Sequence, residues 1–199
     1  KDELELWQEN YHSLYLNKES YIKWGFINKL GEEIINIKYD KVQSFSEGLA
    51  AVKIVYGFDF FEQQHRWGYI NRKGKEIIPI KYQSAKPFSE GLAAVESDNK
   101  WKYINKQGIE VFECIYDEVE SFYEGKAAVK LNNKWGYINK NGKEVFECIY
   151  DEVESFYEGI AAVKLNNKWG YIDNQGKVVI SFKYDEINSL APDSTKFCI

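Results

Sequence analysis

Residues 106–139 read KQGIEVFECIYDEVESFYEGKAAVKLNNKWGYIN, and residues 140–173 repeat them with four changes in 34 positions. The tetrad Lys/Arg-Trp-Gly/Lys-Tyr/Phe within this stretch recurs around Trp24, Trp67, Trp101, Trp135 and Trp169, and the last three intervals are 34 residues each. Self-similarity at a fixed period is the signature of an array of one small unit. A recent duplication inside an older array accounts for the near-identical pair. Function must then be sought on a surface that repeats.

Counted from each Trp as zero, Gly recurs at plus 7 (Gly31, Gly74, Gly108, Gly142, Gly176) and Tyr at plus 15 (Tyr39, Tyr82, Tyr116, Tyr150, Tyr184). Phe follows at plus 21 (Phe45, Phe88, Phe122, Phe156, with Leu190 last) and Gly at plus 24 (Gly48, Gly91, Gly125, Gly159). Asn132-Asn133 and Asn166-Asn167 join AAVKL to KWGYI, a hairpin signal because Asn tolerates positive φ. A second turn, Lys140-Asn141-Gly142 in the fourth unit, leads to a strand whose positions plus 11, 13 and 15 are apolar. Those positions, Ile35/Ile37/Tyr39 in the first unit and Ile180/Phe182/Tyr184 in the last, are expected to face the core. Ile115 and Ile149 break the alternation, which predicts a partly covered outer face in the near-identical pair.

Each unit therefore reads as a three-stranded antiparallel meander followed by a turn-rich bridge, YDEVESFYEG. So small a ribbon cannot bury its apolar face alone, and neighbours must stack. The expected fold is all-β, with units at about 13–48, 49–91, 92–125, 126–159 and 160–193, an extension at 1–12 and a tail at 194–199. Two architectures fit, an open superhelical array or a closed five-bladed propeller-like ring. Because a ring usually shares one blade between the chain ends and these units look intact, the open array is favoured.

Composition narrows the function classes. With 44% hydrophobic and 17% aromatic residues the chain is expected to fold rather than remain disordered. A net charge of −5 and a pI near 5.3 argue against nucleic acid, which demands clustered Lys and Arg. No apolar run approaches the roughly 20 residues that span a bilayer, and no intact signal peptide opens the sequence. The absence of methionine suggests a processed product or a fragment, so any targeting segment would lie elsewhere. Cys114 and Cys148 occupy the slot held by Ile37, Ile80 and Phe182 in other units, and read as small buried hydrophobes rather than a disulfide; Cys198 lies in the tail.

The pattern KWGYIN-xx-GKEV-xxxx-YDEVxSFxEGxAAVK resembles the WG-containing repeat family, also called KWG repeats, from about Ser13 to Ala191. Lys102 departs from it in place of the motif Gly, Leu190 in place of Phe, and the turn at 17–20 is irregular. The resemblance implies a β-repeat architecture, found in multidomain or surface-associated bacterial proteins, and no established enzymatic activity. Richness in Ile, Lys, Asn and Tyr fits a low-GC bacterial genome. Secretion or surface association follows only if a targeting segment has been removed.

Catalytic and metal chemistry find little purchase. His12 and His65 sit in different units without companions at ligand or triad spacing, and no phosphate loop, GxSxG or HExxH occurs. No cofactor is implied. The acids Asp117, Glu118, Glu120 and Glu124, repeated as Asp151, Glu152, Glu154 and Glu158, are the best catalytic or calcium candidates. A solvated acidic face is the preferred reading, because only the Glu at plus 23 is common to four units. The Trp stripe suggests sugar stacking, yet a Trp opening the same strand in every unit is better read as packing. The plus-15 tyrosines join it in that role.

Departures from the period are better functional candidates. Between Val52 and Trp67 lie 14 residues, KIVYGFDFFEQQHR, where other units carry five. Tyr56, Phe58, Phe60 and Phe61 on this extended hairpin are costly to expose without a partner or an intramolecular cover. Tyr123 and Tyr157 replace Ser46 and Ser89 and form a second aromatic patch suited to contact. The expected function is a non-enzymatic scaffold for a protein or peptide partner, with cell-wall or surface glycan as the alternative.

Overall fold

The computed structural model describes residues 5–11, 21–56 and 64–187. Every regular element among them is a β-strand, and no helix there is long and apolar enough to cross a membrane. The first sheet is antiparallel and contains Glu5–Tyr11, Tyr21–Ile27 and Glu33–Tyr39. Each later sheet adds a fourth, two-residue strand, so the second runs Lys41–Val42, Leu49–Tyr56, Gln64–Asn71 and Glu76–Tyr82 in spatial order. The fourth sheet repeats this as Glu118–Val119, Lys126–Leu131, Lys134–Asn139 and Glu144–Tyr150, and the fifth as Glu152–Val153, Ile160–Leu165, Lys168–Asp173 and Val178–Tyr184. We call these the bridge, lead, Trp and edge strands. All are open sheets, and none closes into a barrel.

Two expectations need correction. The bridge is not merely a turn: Lys41 and Val42 pair with Lys53 and Val52 of the following lead strand, as Glu118 and Val119 pair with Lys130 and Val129. A sheet is thus assembled across the sequence boundary between repeats. The first lead strand is Glu5–Tyr11, within the segment expected to be an extension, because Leu6 opposes Phe26 in the register that sets Ala51 opposite Tyr69.

By contact density the chain forms two compact units, Lys1–Asn99 with Ile104–Glu110, and Lys100–Tyr103 with Val111–Ile199. In the first, Ala50, Val52 and Ile70 of the second repeat pack on Phe26, Ile35 and Tyr39 of the first. Ala51, Tyr69, Ile78 and Tyr82 pack in the next cluster, with Ala93, Val95 and Ile104 of the third. Successive lead-strand residues point to opposite faces and both faces are covered, which explains the run Ala-Ala-Val: no polar side chain fits and only small ones let neighbours close. The second unit has the same arrangement, Ala161, Val163 and Ile172 lying against Tyr137, Tyr150 and Phe156.

The deepest aromatic residue is the Tyr two places after each Trp. Tyr69, Tyr103 and Tyr137 are fully buried, with centroids 4.9, 4.8 and 5.0 Å from Phe88, Phe122 and Phe156. Each hydroxyl donates to a bridge carbonyl 17 residues ahead: Tyr69 to Lys86 at 2.8 Å, Tyr137 to Glu154 at 2.7 Å, and Tyr103 to Glu120. The buried phenol is thereby satisfied where water cannot reach it. Among the Trp residues, Trp67 and Trp169 are buried while Trp24, Trp101 and Trp135 are half-buried. Trp135 and Trp169 lie under the ammonium groups of Lys130 and Lys164, at 5.5 and 5.6 Å.

The Gly after Trp admits the edge strand. A Cβ on Gly25, Gly68, Gly136 or Gly170 would stand 2.5 to 2.7 Å from the carbonyl oxygen of Ile35, Ile78, Phe146 or Ile180. At these places the edge strand bulges, Trp135 pairing with Tyr150 but Tyr137 with Phe146. Repeat three carries Lys102 here, and its edge strand is only Glu110–Glu113. Residues 114–116 leave the strand, and Tyr116 is half-buried. Tyr39, Tyr82 and Tyr150 are buried, but Tyr184 is 42% exposed because, among the described residues, no following lead strand lies on it. Ile115 and Ile149 are exposed as well, so the outer face of the near-identical pair is uncovered.

Two expectations follow for stability. Gly136→Ala should cost about 1–3 kcal/mol in denaturant unfolding, since the Phe146 carbonyl must retreat. A variant as stable as the parent would show that the close approach is not required. Burial pushes the Tyr69, Tyr103 and Tyr137 hydroxyls far above the ordinary phenol range, each seconded by a nearby group such as Tyr82 beside Tyr69. These phenols remain protonated in the folded state while the unfolded chain ionises near the ordinary value of 10.0. Their contribution is therefore complete below about pH 10 and is lost as pH rises further. Tyr137→Phe should cost about 1–2 kcal/mol at neutral pH, measured by the same unfolding, and should blunt the alkaline loss.

Candidate functional site

The most repetitive surface feature is the tight turn that closes the bridge. Ser46 and Leu49 exchange backbone hydrogen bonds at 2.9 and 3.0 Å, and Tyr123 and Lys126 do so at 2.8 and 3.0 Å. Both central residues have positive φ, as at Glu124 (48°) with Gly125 (74°) and Glu158 (50°) with Gly159 (80°). Glu rarely adopts this conformation. Its carboxylate gives the compensation, accepting the amide of the glycine in the next repeat's turn: Glu47 from Gly91 at 3.0 Å and Glu124 from Gly159 at 2.9 Å.

Within each compact unit these bonds tie turn to turn. In the first, Lys106 donates to the Glu47 carbonyl and pairs with its carboxylate, both at 3.1 Å. Partial burial opposes the Glu47 charge, yet the Lys106 ammonium and the Gly91 and Glu90 amides outweigh it and hold the carboxyl below its ordinary range. In the second, Lys126 reaches Asn174 at 2.7 Å and lies 4.6 Å from the Phe156 ring centroid.

The residue before each turn Glu decides what the row presents. Ser46 spends its hydroxyl on the Phe88 carbonyl at 2.6 Å. Tyr123 and Tyr157 project instead, 47% and 37% exposed, on the two turns joined by the Glu124–Gly159 bond. The structure thus brings these two candidates to adjacent turns of one unit. Tyr56 is exposed elsewhere, at the end of a hairpin that continues through Val55 opposite His65 and Tyr56 opposite Gln64. Phe58, Phe60, Phe61, His12, Leu190 and Cys198 lie outside the described residues.

The acidic candidates are engaged individually. The residue after the plus-15 Tyr fastens the next hairpin turn: Asp40 accepts from the Val55 amide at 2.9 Å, Gln83 from Asn99, Asp117 from Asn132 and Asp151 from Asn167, each at 3.0 Å. The Asn167 amide, then the Lys134 ammonium, holds the Asp151 carboxyl below its usual range. Glu118 and Glu152 make cross-strand pairs with Lys130 and Lys164 at 2.7 and 2.6 Å. Among the described residues no group of three or more His, Cys, Asp or Glu could hold a metal ion. Cys114 and Cys148 are free thiols; burial, seconded by Glu113, pushes Cys114 up to about 12, which leaves it a packing group.

With this geometry in place the family can be stated. The model of the WG containing repeat matches residues 24–54, 67–101, 103–135, 135–169 and 169–191, and the chain belongs to that family. No curated protein matches significantly. Among solved structures the chain is similar to a protein of unknown function from Bacteroides caccae, with 14% identity, a TM-score of 0.35, and coverage of 81% of this chain and 74% of that one.

The inserted hairpin can be tested separately from the array. Replacing residues 57–63 with Asn-Gly, which leaves the Tyr56–Gln64 pair and the Asp40 bond to Val55 intact, should preserve the far-ultraviolet circular dichroism and the cooperative melt. A large loss of cooperativity would instead make the insertion part of the core.

Proposed function

We propose that the chain is a non-enzymatic scaffold that binds a protein or peptide, and that Tyr123 and Tyr157 on the tied turns are a principal contact. The supporting observation is their exposure on two turns tied to one another through Glu124 and Gly159. The Glu124 carboxylate and the turn backbones are hydrogen-bonded within the repeat row, whereas no ring-ring contact or hydrogen bond among the described residues engages these two side chains. Exposed Tyr is well suited to such contact, having a broad apolar face, a polar tip and only two side-chain torsions to order. Because the turns are held by the Glu124 bond, the rings are presented on a rigid base, which lowers the ordering cost of binding. The acids Asp117, Asp151, Glu118, Glu152 and Glu124 each have a structural partner, which favours binding over catalysis for this face.

The test is selection from a displayed peptide library alongside a glycan array, using the intact chain and the Tyr123→Ala/Tyr157→Ala double variant. The expected result is a recurring peptide motif whose affinity falls roughly tenfold or more in the double variant, with an unchanged melt. Selective glycan binding without a peptide motif would replace this reading by the glycan alternative. Peptide binding indifferent to both substitutions would move the contact elsewhere, with Tyr56 and its hairpin next.

A further inference from the structure

Four internal interfaces show how one repeat seats on another. A Cβ on Gly74 would lie 3.3 Å from Ile35 Cγ2, one on Gly108 3.3 Å from Ile78 Cγ2, one on Gly142 2.7 Å from Phe112 Cδ2, and one on Gly176 2.7 Å from Phe146 Cε1. Each plus-7 turn thus sits on the plus-11 side chain of the repeat before it. Among the described residues the fifth such turn has nothing within 4 Å of Gly31, and the fifth plus-11 side chain, Ile180, is 39% exposed. Among the described residues, the first repeat thus carries an unseated turn and the fifth an unfilled seat.

The residues around both features depart from the repeat in the same direction. Leu30, 81% exposed, stands where the other turns have Lys73, Gln107, Asn141 and Gln175. Val178, exposed on the face of Ile180, stands where the other edge strands have Glu33, Glu76, Glu110 and Glu144. A terminal repeat that merely closes an array becomes more polar on its outer face. Here each end exchanges a polar residue for an aliphatic one.

We infer that these two ends are the halves of an interface between copies of this chain, the Leu30–Gly31 turn of one molecule seating on the Val178–Ile180 edge of the next. The four internal contacts supply the geometry, and the occupant is the same kind of glycine turn that fills every other seat. Register places Glu5 and Trp7 in lead-strand slots that hold Ala50 and Val52 in the second repeat, so the contact is not a replica of the internal one. Two different surfaces meet, which makes the association heterologous, able to grow head to tail or to close into a ring of copies.

The test uses the full chain and sedimentation velocity over a concentration series. Wild type should shift from the 23.3 kDa monomer to larger species as concentration rises. Leu30→Glu blocks only the turn and Ile180→Glu, at the seat residue itself, only the seat, and each variant alone should remain monomeric. An equimolar mixture should form a one-to-one dimer, because each variant retains the half that the other lacks. Both substitutions fall on exposed positions, and matched melts would confirm folding; Gly31→Asn, whose side chain tolerates the positive φ but crowds the seat, and Ile180→Thr are second choices if either fails to fold. A wild type that is monomeric at every attainable concentration overturns the inference. So does association that persists in both single variants, or a mixture of monomeric variants that does not combine.

Discussion

A backbone carbonyl lies where a side chain would otherwise stand, and the edge strand of four of the five repeats follows from that approach. With no Cβ at Gly25, Gly68, Gly136 or Gly170, the edge strand folds in and bulges, returning its Tyr to a place opposite Trp. Bulging shifts the register, so Tyr69 and Tyr137 oppose Ile78 and Phe146. Lys102 supplies an internal comparison: without the glycine, the edge strand stops at Glu113. The Trp-Gly pair is thus a backbone-packing device before it is an aromatic one.

What the sequence made legible depended on range. Local signals were read well, because Asn132, Asn133 and Gly142 carry their conformational preference within the residue, and all three have positive φ. Strand alternation correctly set the inner face of Glu76–Tyr82, where Ile78 and Tyr82 are buried. It could not rank Trp135 against Tyr137, since both recur with the same period; only packing shows that the Tyr is fully buried and the Trp half-buried. The bridge strand escaped notice because two residues are too few to show a period. The displacement of the first lead strand to Glu5–Tyr11 was hidden because residues 12–20 separate it from Tyr21, where repeats three to five carry two residues between the same strands.

The acidic residues show the same limit from the side of function. Asp151 and Glu124 lie close in sequence to other acids and invite a catalytic or calcium reading, yet their partners, Asn167 and Gly159, are 16 and 35 residues away. Composition registers the charge, and only the fold shows that it is already spent on backbone amides. Tyr123 and Tyr157 were legible by difference, because a substitution at an otherwise serine position stands out against the period. Their adjacency was not, since it depends on a bond from one repeat to the next.

The hydrogen bonds that define a repeat share a property with genetic consequences. Tyr to bridge spans 17 residues, Asp to hairpin 15 or 16, and Glu124 to the following turn 35. None of these offsets refers to a fixed starting point. A tandem copying event of 34 residues therefore adds one full complement of bonds wherever in the period it begins, and it need not respect the edge of a sheet. An array of this kind can lengthen by replication slippage without passing through a broken intermediate, and residues 106–173 preserve the product of such an event.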